Sequence, residues 1–381
     1  FKLKKLVSHC YDNVPYYHKI FKARGLKPSD IKSVKDLKKL PILDKDTVRK
    51  EKKNLLASNF SDWNPTKRMT GGTTGKPLHY YTTKESWSWI WSAIYSRHWG
   101  WGGYKYGDSK ATLGGSSLIP AENPTLKVKL RNLFERNLPL SAVHLDDKIM
   151  NNYYIKMKKS KTEYIRGYTS SLGSFADYLK RNDRQLNMKA AFSTAEVLYP
   201  EVRKKIEDAF SCEVFDNYGC HDGAGNAAEC EIHNGFHHSS ELSTLELCDL
   251  ESNEHVGEGE KGRLIFSDLN NFAMPFLRYS PGDVSSLSNE KCTCGRNLPL
   301  LNSIEGRTTE VIKLSNGRIL TGPPIVHLFR LFNSVKQYQI VQDRKDSILI
   351  RIVKKSNFKD SDEDKIIGVM HHHAGQKINI E

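Results

Sequence analysis

The chain has 381 residues, 58 Lys and Arg against 44 Asp and Glu, a net charge of +14 and seven cysteines. That length accommodates a large and a small domain around a sizeable core, and no run approaches the roughly eighteen apolar residues of a membrane-spanning helix. The positive charge is mostly lysine scattered along helical segments such as Val34 to Lys53 and Lys156 to Lys161, which argues against specific nucleic-acid binding and leaves a bias toward small polyanions.

The first residue is Phe1, not Met, so further residues are expected before it and after the last. Residues 1 to about 60 read as short helices punctuated by Pro15, Pro28 and Pro41, with Asp44 capping one of them. Thr70-Gly71-Gly72-Thr73-Thr74-Gly75-Lys76-Pro77 follows. Its glycines let backbone N–H groups close on an anion, and its hydroxyls and Lys76 add donors and charge, the makings of a polyphosphate cradle. It is not the loop of P-loop nucleotidases, because Thr70 and Pro77 stand where that pattern needs Gly and Ser or Thr.

Tyr80 to Thr83 is strand-like, and Thr83 opens a helix with Trp87, Trp91, Ile94, Tyr95 and His98 on one face. That face either packs into the core or lines a flat substrate pocket. Ala111 to Gly115, Tyr164 to Tyr168 and Ala190 to Thr194 read as buried strands, separated by helices such as Ser171 to Lys180 and Pro200 to Phe210. This alternation predicts an α/β fold with parallel strand pairs, and ligands collect at the carboxyl ends of such strands. Val214 to Cys220 is a further strand running into a tight turn, where Tyr218 offers a flat face to a purine and Asp222 a carboxylate to magnesium. Trp91, Tyr168, Ser193 and His221 are the residues expected at a substrate pocket. Shorter β segments follow from Leu245, with a hairpin at Asn316-Gly317 and a small α+β domain after a boundary near Arg307 to Glu310.

Asp283, after the Pro281-Gly282 turn, carries two oxygens suited to a ribose diol, and Arg307 supplies a fixed positive charge. Six of the seven cysteines fall from Cys212 to Cys294. Cys230, His237, Cys292 and Cys294 form soft-ligand arms suited to a closed tetrahedral zinc in a reducing compartment, with His233 and His238 competing for the fourth place. His371-His372-His373 reads as a polar surface end.

Taken in order, the glycine-rich loop, Ala195-Glu196, Tyr218-Gly219, the stretch Ala273-Met274-Pro275-Phe276-Leu277-Arg278-Tyr279-Ser280-Pro281-Gly282-Asp283 and Gly306-Arg307 closely resemble the adenylate-forming superfamily. The branch resembled is that of phenylacetate–coenzyme A ligase and its capsule-biosynthesis relatives, over residues 10 to 330. The resemblance implies a large ATP- and acid-binding domain, residues 1–307, with mixed or parallel sheets flanked by helices, and a small C-terminal lid domain, 308–381. It implies an AMP-forming ligase that activates a small carboxylic acid with ATP and magnesium and passes it to coenzyme A, in the cytoplasm, with a homodimer as one arrangement. A sugar or amine acceptor, or loss of catalysis, are its alternatives.

By resemblance, Thr70, Gly71, Gly72, Thr73, Thr74, Gly75 and Lys76 grip the phosphates, and Ala195, Glu196, Asp216, Asn217, Tyr218 and Gly219 meet the adenine. Asp222 meets magnesium, and Asp283 with Arg307 meets the ribose. Lys76, Asp222 and Arg307 would carry catalysis. Two departures stand out. Asp222 replaces the family's usual Glu, and Gly306-Arg307-Thr308-Thr309-Glu310 replaces its Gly-Arg-x-Asp-Asp hinge. Gly375-Gln376-Lys377 does not match the family's C-terminal lysine context, and that lysine is not assigned.

Overall fold

The computed structural model describes residues 1–70, 78–115, 118–119, 124–142 and 145–307, and after them 312–315, 319–320, 329, 332, 334–344, 347–374 and 378–381. Loop residues Gly71 to Pro77, hinge residues Thr308 to Glu310, the Asn316-Gly317 hairpin and Gly375-Gln376-Lys377 lie outside the described residues. The chain divides into two compact units: 1–281 with 285–304, and 282–284 with 305–381. The division comes between Ile304 and Glu305, ahead of the expected one after Arg307.

In the large unit, helices α1 (Lys2–Asn13) and α2 (Pro15–Ala23) break at the proline, which sits at the permitted first position of α2. The Asp44 side chain accepts the Thr47 N–H at 2.7 Å and starts α3 (Lys45–Lys50). Strands β1 (Pro65–Met69) and β2 (His79–Thr83) pair antiparallel on either side of the glycine-rich loop, with Arg68 opposite Tyr80. Thr70 closes the base of that hairpin: its N–H donates to the Leu78 carbonyl at 3.0 Å, and its hydroxyl accepts the Leu78 N–H at 2.9 Å. Thr83 caps α4 (Lys84–Ala93), its hydroxyl accepting the Ser86 N–H. The chain then passes through a π-helical turn (Ile94–His98) into the short α5 (Trp99–Trp101).

An eight-stranded sheet forms the centre of the unit. Its strands are β3 (Lys110–Gly114), β4 (Asn137–Ser141), β5 (Tyr164–Tyr168), β6 (Ala190–Thr194), β7 (Glu213–Cys220), β8 (Gly225–Ala228), β9 (Phe236–His238) and, late in the chain, Leu300–Leu301. Strands β4, β3, β5, β6 and β7 run parallel in that spatial order, and β8, β9 and Leu300–Leu301 then continue antiparallel.

Successive residues of a buried strand face opposite sides. Ile165, Ala191 and Val214 therefore pack against helices α7 (Asp147–Lys159), α8 (Thr169–Arg181) and α9 (Pro200–Phe210). Tyr164, Phe192 and Phe215 pack against the aromatic helix and Trp99. Helix α6 (Leu126–Phe134) lies between β3 and β4 in the chain. A smaller sheet pairs β10 (Ser243–Cys248) with β11 (Lys261–Asp268) and then Val284–Ser286. Beside it the buried Arg278 guanidinium pairs as an ion with Glu246, 3.1 Å away, and donates to the Leu40 carbonyl at 2.8 Å, tying the motif that leads to Asp283 onto the N-terminal segment.

Gly235, at the entry to β9, has φ +89°, and a Cβ there would fall on the Leu301 carbonyl oxygen, a backbone atom that cannot turn aside. Gly235→Ala is expected to cost about 2–4 kcal/mol, read as a lower melting temperature. Gly295→Ala, at φ +76° but with open space around it, should cost only the ~1–2 kcal/mol of the left-handed backbone.

The second unit is α+β. Val335–Arg344 and Ser347–Lys354 pair antiparallel, Asn379–Ile380 joins the latter in parallel, and Ile312–Lys313 pairs with Ile319–Leu320. Helix Asp360–Ala374 buries Ile366, Met370 and Ala374 in a core with Ile348 and Ile378. The histidine run ends this helix: His372 is exposed, and His371 meets the Ile378 carbonyl at 3.0 Å.

Candidate active site

Toward the carboxyl ends of β5, β6 and β7 lies a cavity of about 20 Å³, bounded on its other side by the π-helical turn. Its polar lining comes from Arg166, Ser193, Thr194, Asn217, Tyr218, Gly219 and His221, with His98 and Asn226. Strand register explains the grouping, since Arg166 pairs with Phe192 on the neighbouring strand, Phe192 with Phe215, and Thr194 with Asn217. Four expected ligand residues (Ser193, Asn217, Tyr218 and Gly219) and His221 are thus brought together. A side chain at Gly219 would press on the His221 ring, with a Cβ only 3.2 Å from Nε2.

Arg166 is the residue that sequence reasoning missed. It is 8% exposed, and its guanidinium lies 5.1 Å from the Trp91 ring and 5.3 Å from the Trp99 ring. Burial pushes its pKa down to about 10, with Tyr95 and Tyr168 opposing, so it is charged at neutral pH. The signal was a lone cation inside an otherwise apolar strand, because a buried charge needs a partner or a ligand. A second guanidinium, Arg68, stacks 3.9 Å over Trp87. His221 stands edge-on to Trp87 and Trp91, at 5.5 Å and 6.1 Å. Burial, then Arg166, pushes its pKa down to about 4, with Asp222 opposing, so it is a neutral imidazole. Of the aromatic face, Ile94 packs into the core and, with His98, also bounds the cavity, whereas Trp91, expected at the substrate pocket, packs against the core beside the Arg166 guanidinium and is not among the residues lining the cavity.

Several expected residues are placed elsewhere. Asp216 lies on the opposite face of β7 from Asn217, as strand alternation requires. It accepts the Ser193 hydroxyl at 2.7 Å, and its backbone N–H donates to Glu229 at 3.0 Å. Glu229 is in turn gripped by Arg203 through two 2.7 Å bonds. Ala195 and Glu196 are exposed beyond the end of β6, where the Glu196 carboxylate caps α8 by accepting the Ser170 N–H at 2.7 Å and its hydroxyl at 3.0 Å. Tyr168 is half-buried and does not line the cavity. Asp222 is buried, one oxygen accepting from the Tyr279 hydroxyl and the other from the Cys220 thiol at 3.2 Å. In the second unit, Asp283 and Arg307 face each other across a backbone bridge, their side chains 3.7 Å apart.

Burial, and secondarily Glu229, raises the Asp216 pKa to about 7. A raised carboxyl binds more protons folded than unfolded. Its neutral form is therefore favoured at low pH, and stability is lost as pH rises from about 4 toward 7. Asp216→Asn should flatten that part of the melting-temperature profile.

A separate cluster gathers Cys230, His237, Cys292 and Cys294, whose ligating atoms all lie within 4.8 Å of one another. Cys230 and Cys292 sulfurs are 3.7 Å apart, and Cys294 sulfur is 3.4 Å from His237 Nε2. A tetrahedral zinc with bonds of about 2.3 Å to sulfur and about 2.0 Å to nitrogen sets those spacings at roughly 3.7 Å and 3.5 Å, so the four residues fit the ion. The competing histidines are engaged elsewhere: His233 bonds Glu229 at 3.2 Å and His238 bonds Ser243 at 3.0 Å.

The homologues and structural neighbours of the chain together support an ATP-dependent, AMP-forming ligase. Residues 312–381 match the family model of the CapK C-terminal domain. The chain is 25% identical over 353 residues to a phenylacetate–coenzyme A ligase of Thermus thermophilus, covering 91% of this chain and 78% of that one. It is 26% identical over 380 residues to protein CapK of Staphylococcus aureus, covering 96% and 79%. A 2-hydroxyisobutyryl-CoA ligase structure in the postadenylation state superposes with a TM-score of 0.77 at 18% identity, covering all of this chain and 84% of that one. The homologues are thus named phenylacetate–coenzyme A ligase and CapK, and the fold is that of the adenylate-forming superfamily. Among the described residues no helix is long and apolar enough to cross a membrane.

Proposed function

We propose that this chain joins a small carboxylic acid to AMP and then transfers the acyl group to coenzyme A. In the first half-reaction a carboxylate oxygen attacks the α-phosphorus of ATP, a new C–O–P bond forms and pyrophosphate leaves. In the second, the thiolate displaces AMP. The observation that carries this reading is the buried, charged Arg166 in a cavity at the carboxyl ends of parallel strands, beside Asn217 and Tyr218. A fixed cation among aromatic rings is a receptor for a carboxylate, and neighbouring Tyr218 and Gly219 offer a flat face and close backbone to adenine.

Lys76 and the hydroxyls of residues 70–74 are the proposed phosphate ligands, and Asp283 with Arg307 the proposed ribose ligands. Magnesium would enter with the phosphates. Asp222, with both oxygens held by Tyr279 and Cys220, would have to give up one of those bonds to ligate it directly. Zinc at Cys230, His237, Cys292 and Cys294 would be structural, because four protein ligands leave no position for water. Seven cysteines that form no disulfide, three of them assigned to zinc, suit the cytoplasm as its location.

The products test the proposal. Incubation with ATP, an acid and coenzyme A should yield AMP, pyrophosphate and an acyl thioester by mass. An acylated or adenylated sugar or amine in its place would redirect the second step toward polysaccharide assembly, and ADP with phosphate would refute the first.

A further inference from the structure

Helix α6 is amphipathic with its apolar side outward. Leu126, Leu130, Leu133 and Phe134 fall on one helical face, by their spacing of four, three and one, and are 72%, 46%, 72% and 81% exposed. No residue of the helix is buried. Its half-buried side chains are Val128 and Asn132, and Asn132 is fastened inward by accepting the Asn137 amide at 3.1 Å. Lys127 and Arg131 border one side of the stripe and Lys129 the other. The acid at hand is Glu135, 3.9 Å from Arg131 and 3.7 Å from Lys110. A grouped apolar face of this kind marks an interaction surface.

Charge and area decide what covers it. A second copy would set Lys127, Lys129 and Arg131 against their own images. A nine-residue helix, roughly 14 Å long and about 10 Å wide, also offers a face on the order of 140 Å², far short of the ~800 Å² per partner of a stable interface. An anionic lipid surface meets both requirements. Apolar side chains enter the headgroup boundary, flanking cations meet phosphates, and the net charge of +14 adds long-range attraction. We propose that α6 docks this chain peripherally on anionic phospholipid, with Leu126, Leu130, Leu133 and Phe134 inserted and Lys127, Lys129 and Arg131 at the phosphates.

The test is vesicle flotation of the full chain with phosphatidylcholine alone and with a quarter phosphatidylglycerol, at low and physiological salt. The bound fraction should rise about tenfold on the anionic vesicles and fall with salt. Leu130→Glu with Leu133→Glu should abolish it at unchanged melting temperature, and Lys127→Glu with Lys129→Glu should reduce it toward the neutral-vesicle level. Equal binding to both vesicle types, no binding, or anionic binding that survives the double leucine variant overturns the proposal. So does a concentration-dependent dimer that the leucine variant dissociates, since the face would then belong to a second copy.

Discussion

Arg166→Leu is expected to lower kcat/KM for the acid by roughly 10²–10³-fold. Truncating one partner of a buried charge pair typically costs about 3–4 kcal/mol, and each 1.36 kcal/mol or so is a factor of ten. The loss should appear mainly in KM for the acid, because a guanidinium that binds the carboxylate holds ground state and transition state alike. KM for ATP should change little. Arg166→Lys keeps the charge but not the planar group lying near Trp91 and Trp99, and should recover part of the activity. Steady-state kinetics with the acid varied at saturating ATP separates these outcomes. Equal losses in both KM values would instead indicate a disturbed β5.

The second large effect is expected from the metal cluster. Cys292→Ser, or chelation of the wild-type chain, should release one zinc per chain and lower the melting temperature of the large unit by on the order of 10 °C. Ligand linkage gives about 4 kcal/mol when free zinc stands a thousandfold above its Kd, at roughly 2–4 °C per kcal/mol for units of this size. The physical reason is the span of the bridge. Cys230 and His237 flank the turn before β9, whereas Cys292 and Cys294 come from a turn more than fifty residues later, next to Leu300–Leu301, which pairs with β9. The His237 ring is further held edge-on to Trp101 at 5.5 Å. Metal analysis by mass spectrometry with parallel calorimetry reads both quantities. A zinc-free protein that melts normally would make the cluster an ordinary set of buried thiols.

What was legible in the residues is what local chemistry dictates. Thr83 and Asp44 announce helix starts because a cap is settled within three residues, and the apolar strands announce a parallel sheet because burial on both faces leaves them little polarity. Strand β1 was not legible: Pro65, Lys67 and Arg68 show no apolar alternation, and only pairing with His79 to Thr83 across the glycine-rich segment makes them a strand. Nor was Arg166, whose meaning depends on two tryptophans distant in the chain. Adjacent residues were read together where the strand separates them. Asp216 and Asn217 look like one polar patch in sequence, yet alternation sends one to Ser193 and Glu229 and the other to the cavity. Glu196 illustrates the remaining gap, since its carboxylate is bound to the start of α8, a helix that precedes it in the chain.

The most direct test of acid activation is the exchange of labelled pyrophosphate into ATP, run without any acceptor on zinc-loaded, full-length protein against a panel of carboxylic acids. Reversal of adenylation predicts exchange that depends on one class of acid, saturates with it, and falls with Arg166→Leu. Absence of exchange with every acid, from folded protein that still binds ATP, would contradict the formation of an acyl-adenylate and leave a nucleotide-binding chain without this chemistry.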